Sequence, residues 1–151
     1  MSSKQPYNLH YRLGYKLTLA AQVNNQTMIN LLYTIGLTRQ MWCVLVAVGE
    51  QKIVHPSAIA DYIGIKRAAV SRSLKEMTNR GLLERHNDSD SRQHIHVSLT
   101  QEGERVLALS MPMTEISAAQ LNQQLSTTEQ AQLTNLLDKI LAGPHETPAR
   151  I

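Results

Sequence analysis

The most informative part of the chain for its fold is residues 56–100, which read PSAIADYIGIKRAAVSRSLKEMTNRGLLERHNDSDSRQHIHVSLT. Pro56 suits the first turn of a short helix, and Gly64 ends that helix. After a tight turn, apolar residues recur at helical spacing over residues 67–79, and Gly81 closes this second helix. The stretch therefore predicts two short helices joined by a turn that contains glycine.

A β-hairpin is predicted directly after the second helix. Residues 82–86 and 95–99 are short strand-like runs, and the polar, turn-rich residues 87–93 join them. Two such helices followed by a hairpin form a helix-turn-helix with a wing. In that arrangement the second helix enters the major groove of DNA, where its outward side chains reach base edges. DNA binding is thus the first functional hypothesis.

Long helices are predicted on both sides of this unit. Apolar residues at three-and-four spacing indicate an amphipathic helix over residues 9–33, and a helix that is apolar on every side follows Thr38. Thr100 caps another long helix, and Ser126 opens the last one with a capping-box pattern. Pro112 lies inside the first of these C-terminal helices and should kink its axis. The predicted fold is mainly α with a small β-hairpin wing.

Composition excludes several classes of protein. The length and the 42% hydrophobic content suit one compact protomer, residues 1–151, with one core. No apolar run approaches the roughly 18 to 20 residues that span a bilayer, and the N-terminus lacks the apolar core of a signal peptide. We therefore expect a cytoplasmic protein with no membrane contact. The single cysteine, Cys43, excludes an internal disulfide framework and a multi-cysteine zinc module.

Positive charge is concentrated in the middle of the chain. The formal net charge is only +3, but residues 66–75 hold four basic side chains and no acidic one. A basic face on a predicted DNA-reading helix favours a polyanionic partner. Such a face taken alone is usually just solvated, and it is the hairpin downstream that favours duplex DNA.

Six short patterns carry a family resemblance. They are Gly36-Leu37-Thr38 with Trp42-x-x-Leu45, Ile59-Ala60-x-x-Ile63-Gly64-Ile65, Val70-Ser71-Arg72-Ser73-Leu74, Asn79-Arg80-Gly81-Leu82-Leu83-x-Arg85, Asp88-x-Asp90-x-Arg92 and Leu99-Thr100-x-x-Gly103. In combination, over residues 13–141, the chain resembles the MarR family of bacterial transcriptional regulators. The resemblance implies a triangular homodimer. Its dimerisation helices would span residues 8–36 and 101–142, and its winged helix-turn-helix, the DNA-binding lobe, would span residues 38–100.

The resemblance also implies roles for individual residues. Contacts with bases and phosphates are expected from Lys66, Arg67, Ala68, Ser71, Arg72 and Lys75. Arg92 would enter the minor groove from the wing, and Asp90 would orient its guanidinium group. We expect a repressor that binds a pseudopalindromic operator on double-stranded DNA and has no cofactor, metal or catalytic residue. His55 and Lys66 depart from the family pattern, since relatives often carry a capping hydroxyl or acid at those positions.

Two accounts of the N-terminal aromatic residues stay open. Tyr7, Tyr11 and Tyr15 recur every four residues and would share one face of the predicted helix. They would either pack at the dimer interface or line an aromatic effector pocket that is rimmed by cations. The candidate pocket residues, for a small aromatic or anionic effector, are His10, Tyr11, Arg12, Tyr15 and Trp42.

Two other groups of residues have simpler expected roles. Cys43 lies in an all-apolar segment and is expected to act as a small buried hydrophobe rather than as a redox sensor. His86, His94 and His96 would lie on the hairpin. Solvated histidines are favoured there over a metal site, because no cysteine or dedicated carboxylate completes a set of ligands.

Two competing functions are weighed against DNA binding. An enzyme is disfavoured because the sequence has no glycine-rich phosphate loop, nucleophile elbow or metal-ligand spacing. A winged-helix protein-interaction module that does not bind DNA is the nearer alternative. The cationic recognition helix and the pair Asp90 and Arg92 argue against that alternative.

Overall fold

The computed structural model describes residues 7–87 and 95–143 of the 151-residue chain. After a 3-10 turn, Leu9–Tyr11, the helices and strands are α1 (Leu13–Thr34), α2 (Arg39–Gly49), α3 (Pro56–Ile63), α4 (Arg67–Asn79), β1 (Leu83–Asn87), β2 (Ile95–Leu99), α5 (Gln101–Asn122) and α6 (Thr127–Leu141). The predicted fold, mainly α with a β-hairpin wing, is confirmed.

The beginning of the chain differs from the predicted long helix. The side chain of Asn8 accepts a hydrogen bond from the backbone N–H of His10 at 2.9 Å, which favours a local 3-10 turn over an α-helix. Arg12 has extended backbone angles, φ −88° and ψ 127°, and α1 begins after it at Leu13. The prediction of one continuous helix face that carries the three tyrosines of residues 7–15 is therefore wrong.

Local capping sets several helix ends as the sequence predicts. Thr38 Oγ1 accepts a hydrogen bond from the backbone N–H of Met41 at 3.1 Å. Thr100 Oγ1 makes the equivalent contact at the start of α5, at 3.0 Å, and Ser126 opens α6 with the predicted capping box. Helix α5 runs without interruption through Pro112.

Helix α2 lies at the centre of the core, where α1, α3, α4, α5 and β2 contact it. Val44, Leu45 and Ala47 of this helix are completely buried. Burial of one large aliphatic side chain stabilises a fold by about 1.5–3 kcal/mol. The all-apolar segment is thus the central core helix, as predicted.

The helix-turn-helix and the wing are joined by close backbone contacts. Gly64, with a φ of 76°, makes the tight turn between α3 and α4. Gly103, in the first turn of α5, lies so close to the hairpin that an added Cβ would sit 2.1 Å from Leu82 O. Only a glycine permits α5 to pack this tightly on the root of the wing.

The wing is an antiparallel hairpin with Leu83 opposite Leu99 at its root. Val97 also donates its backbone N–H to Val54 O at 3.0 Å, which ties β2 to the segment before α3. Residues 88–94, between the two strands, lie outside the described residues. The root of the wing is therefore held on the lobe by both side-chain burial and backbone bonding.

The terminal helices keep large apolar side chains exposed. In α6, which is described throughout, no residue is buried, and the exposed fractions of Leu136 and Leu141 are 55% and 66%. Helices α1 and α5 pack along each other, and Thr27 Oγ1 donates to Gln120 Oε1 at 2.8 Å between them. Among the described residues, no single helix is long and apolar enough to span a membrane. Helices α1 and α2 meet that criterion only when taken together, across an 80° bend.

Candidate nucleic-acid interface

Helix α4 has one buried face and one exposed, cationic face. The buried face packs on α2 and α3, and its residues are Val70, Ser73, Leu74 and Met77. The exposed side carries every residue predicted to contact DNA from this helix and its N-cap, namely Lys66, Arg67, Ala68, Ser71, Arg72 and Lys75. The structure thus brings these six residues together over about two helical turns.

The N-terminal turn of α4 lacks the local interactions that usually stabilise the start of a helix. Lys66, the N-cap residue, makes no side-chain capping bond, and the first turn contains no acidic residue. Arg67 places a positive charge at the end of the helix where the backbone dipole is also positive. His55 likewise provides no side-chain cap for α3. A bound polyanion at the start of α4 would offset the charge penalty, because helix N-termini attract phosphate groups.

Two side chains that hold α4 in place are not predicted from the sequence. Gln40 of α2 donates from Nε2 to Ala69 O at 3.0 Å and to Ser73 Oγ at 2.6 Å. Arg80, which follows α4, donates from Nη1 to Met41 Sδ at 3.3 Å. The one signal in the sequence is a polar glutamine directly before the apolar residues 41–48. Nothing local identifies its partners, which lie 29 and 33 residues away.

The outward face of the hairpin carries two histidines on opposite strands. The rings of His86 and His96 stack with their centroids 5.0 Å apart. Across the described part of the chain, no group of three or more His, Cys, Asp or Glu side chains is placed to hold a metal ion. His94, Asp90 and Arg92 lie outside the described residues, so their roles stay predictions.

The predicted effector residues near the N-terminus form two small groups. The rings of His10 and Tyr15 meet edge to face with centroids 5.3 Å apart, and the guanidinium carbon of Arg12 lies 4.5 Å from the ring centroid of Tyr7. Tyr11 is 82% exposed. The assembly of these residues into one pocket stays a prediction.

Two buried donors on α2 have no hydrogen-bond partner among the described residues. They are Arg39 Nε and Trp42 Nε1. The two residues are three positions apart in one helix, so their side chains leave the same side of α2. An unpaired buried donor costs about 1–3 kcal/mol. Trp42 belongs to the set of residues predicted to bind an effector. Arg39, the lone cation of α2, is not in that set.

Cys43 is half-buried in α2. Burial raises the pKa of its thiol, and the positive charge of Arg39 lowers that pKa to a smaller extent. Since the thiolate is the reactive form, a raised pKa disfavours oxidation and alkylation at neutral pH. The environment therefore favours the expected role of Cys43 as a hydrophobe.

Sequence comparison relates the chain to known regulators. The sequence model of the MarR family matches residues 35–93, which run from the end of α1 to the wing. The transcriptional repressor MprA of Escherichia coli K12 is 28% identical over 109 residues, which cover 71% of this chain and 62% of MprA. The match thus spans less than two thirds of that relative.

Solved structures share the fold over nearly the whole chain. A mutant of Escherichia coli MarR complexed with operator DNA aligns with a TM-score of 0.81 at 20% identity, covering 91% of this chain and 99% of that one. BpsR of Bordetella bronchiseptica aligns with a TM-score of 0.83 at 22% identity, covering 93% of this chain and 100% of BpsR. The chain is therefore similar to the MarR family of transcriptional regulators over residues 35–93, and it shares the fold of the solved MarR and BpsR structures.

Proposed function

We propose that the protein is a sequence-specific DNA-binding repressor of transcription that binds a pseudopalindromic operator as a homodimer. The observation that carries the proposal is the exposed cationic face of α4, which lies opposite the buried face and directly before the hairpin. The major groove of B-DNA admits an α-helix, and a wing beside that helix reaches the neighbouring backbone or minor groove. The proposal involves no catalytic residue and no cofactor.

The exposed residues of α4 would have distinct roles. Arg67 and Arg72 have the fork geometry that contacts guanine or phosphate through paired hydrogen bonds. Lys75 would contact phosphate, as would Lys66 at the N-terminus of the helix. Ala68 and Ser71 would contact base edges, the first through its methyl group and the second through its hydroxyl group.

The wing contributes to the proposal through Asp90 and Arg92. Both residues lie outside the described part of the chain, and their roles rest on the family resemblance. The guanidinium group of Arg92 would sit in the minor groove, where a narrow groove concentrates negative potential. Asp90 would hold that group in place through a charge-assisted hydrogen bond.

Dimerisation is proposed for the helices outside the DNA-binding lobe of residues 38–100. Exposed apolar side chains lie along these helices, including Val23 of α1, Ile116 of α5 and Leu136 of α6. Exposed apolar patches mark interaction sites in soluble proteins. In a two-fold dimer, two α4 helices would enter successive major grooves, with half-sites about 10 base pairs apart.

A small-molecule effector is a second element of the proposal, supported by the unpaired donors of Arg39 and Trp42. A ligand with an acceptor group, such as an aromatic carboxylate, would satisfy buried N–H donors and the positive charge together. The DNA binding of BpsR is regulated by 6-hydroxynicotinic acid. That acid is therefore a suitable first probe. We expect 6-hydroxynicotinic acid to release the wild-type protein from DNA. This effect should be lost in Trp42→Phe, which keeps an aromatic ring but removes Nε1.

One selection experiment tests the DNA-binding proposal. The full chain is incubated with duplexes whose core of about 20 base pairs, the span of two half-sites, is randomised. We expect enrichment of an inverted repeat, with an affinity that falls steeply as salt rises because phosphate contacts release counterions. Absence of any enriched sequence would favour a protein-interaction module instead.

A further inference from the structure

We infer that Gln40 is a positioning residue that sets the rotation of α4 about its own axis, and with it the sequence preference of the DNA interface. The inference rests on the proposed function, since it concerns how α4 presents its side chains to DNA. It comes from the geometry of one side-chain amide against one side of α4.

The amide of Gln40 contacts α4 at two points. Nε2 lies 3.0 Å from Ala69 O and 2.6 Å from Ser73 Oγ. Because Ala69 O is only an acceptor, the NH₂ group rather than the carbonyl oxygen of Gln40 must face it. Ala69 and Ser73 are four residues apart, so they lie one above the other on the same side of the helix. Two bonds from one amide thus restrict both the rotation and the axial position of α4.

The apolar contacts of α4 restrict its rotation less. Val70, Leu74 and Met77 are buried, but hydrophobic burial is non-directional and tolerates small rotations. Hydrogen bonds weaken steeply when they are misaligned. Ser73 is only 9% exposed, so water has little access to its hydroxyl group if Gln40 is lost. A rotated helix would therefore leave a buried hydroxyl without its partner.

The contacts of Gln40 lie next to the residues proposed to read DNA. Ser71 and Arg72 lie between Ala69 and Ser73 in the chain, on the exposed side of α4. For a helix about 10–12 Å across, a rotation of about 20° moves the tips of side chains by about 2 Å. Such a shift breaks a hydrogen bond to a base edge, whereas long lysine and arginine side chains still reach phosphates. Loss of the two hydrogen bonds from Gln40 should therefore lower the sequence specificity of DNA binding rather than the general affinity for DNA.

The test compares the affinities of three variants for two duplexes. Gln40→Met keeps most of the side-chain volume and removes both donors, and Ser73→Ala removes one acceptor. Gln51→Met is the matched control, because Gln51 is exposed just after the C-terminal end of the same helix. The two duplexes are the one that the wild-type chain enriches from a random pool and a mixed-sequence duplex of equal length. Sedimentation and circular dichroism of each variant report assembly and folding.

We expect Gln40→Met to lose about tenfold in affinity for the enriched duplex, roughly the discrimination carried by one good base contact. Its affinity for the mixed-sequence duplex, and the salt dependence of that affinity, should match those of the wild type. Ser73→Ala should give a smaller change in the same direction. The double variant should lose no more than Gln40→Met alone, because both residues act through one interaction. Gln51→Met should behave as the wild type.

Equal weakening on both duplexes, or an unchanged ratio of affinities, would mean that Gln40 is merely structural and would overturn the inference. If Gln40→Met does not fold, the ratio for Ser73→Ala decides, since that variant changes little volume. A wild-type chain that enriches no sequence overturns the proposed function together with this inference. A wild-type chain that enriches a sequence, with an unchanged ratio in the variants, overturns this inference alone.

Discussion

The lobe of residues 38–100 and the terminal helix α6 differ in how far their apolar side chains are buried. In the lobe, Leu45 of α2 and Ile59 of α3 are completely buried by contacts within the chain. In α6, Leu136 and Ile140 are each more than half exposed, although the helix is regular and begins with a capping box. The lobe therefore has a complete core in one chain, whereas α6 has an apolar stripe without a cover.

This difference lies in tertiary contact rather than in the helices themselves. Helices α3, α4 and α5 and the strand β2 all converge on α2, whereas α6 makes only sparse contacts with the other described elements. An amphipathic helix gains most of its stability from packing of its apolar face. The lobe should thus stay folded when the protein is diluted, whereas the stability of the terminal helices should depend on contacts with a second chain.

The largest expected effect is in the core of the lobe. Leu45→Ala removes a completely buried side chain and should destabilise the protein by about 2–5 kcal/mol, because a cavity remains. Urea unfolding at two protein concentrations measures this loss, which should be similar at both. The matched change Leu136→Ala should cost less, and its cost should depend on concentration because it acts through association. Equal behaviour of the two variants would remove the distinction between lobe and α6.

A charge on the apolar stripe of α6 should separate the protomers. Leu136→Lys should weaken the dimer by about 2 kcal/mol per protomer, even where the ammonium group reaches water. Sedimentation should show about twice the 16.9 kDa chain mass for the wild type and a large share of single chains for the variant. A wild-type chain that is a stable, folded monomer at micromolar concentration would contradict the proposed assembly.

Within the lobe, the wing tests the DNA interface. Arg92→Ala should weaken operator binding by about 1–3 kcal/mol, with little effect on folding. Asp90→Ala should give a smaller loss, because its proposed role is to orient Arg92. On charge alone, removal of an acidic side chain near DNA would strengthen binding. The sign of the change in affinity for Asp90→Ala therefore distinguishes the orienting role from a simple charge effect. Titration of the enriched duplex at fixed salt measures both, and tighter binding by Asp90→Ala would reject the orienting role.

The smallest expected effect separates stability from function at the start of α4. Lys66→Ser supplies the missing N-cap and should stabilise the fold by about 0.5–1 kcal/mol. The same change removes a proposed phosphate contact, and the slope of log affinity against log salt should fall by about one. Thermal unfolding and a salt titration measure the two effects. If Lys66→Ser leaves the salt slope unchanged, Lys66 does not contact DNA.

Features that depend on near neighbours along the chain follow directly from the sequence. The side chains of Thr38 and Ser126 cap helices by accepting hydrogen bonds from backbone N–H groups three positions along the chain. Gly64 and Gly81 adopt positive φ angles just after the helices α3 and α4. The exposed face of α4 can be predicted from the sequence for the same reason, because the helical period assigns each residue to one side of the helix. The one local error is the 3-10 turn of residues 9–11, where the Asn8 side chain competes with the helix.

Contacts between groups that are distant in the chain follow only from how the helices pack. Gln40 reaches Ser73 across 33 residues, and Gly103 fits against Leu82 O because α5 crosses the root of the wing. The unpaired donors of Arg39 and Trp42 are likewise visible only once the neighbouring helices are in place. Such contacts depend on the relative orientation of several packed helices at once. Helical periodicity and capping patterns carry no information about that orientation, because they reach only a few residues along the chain.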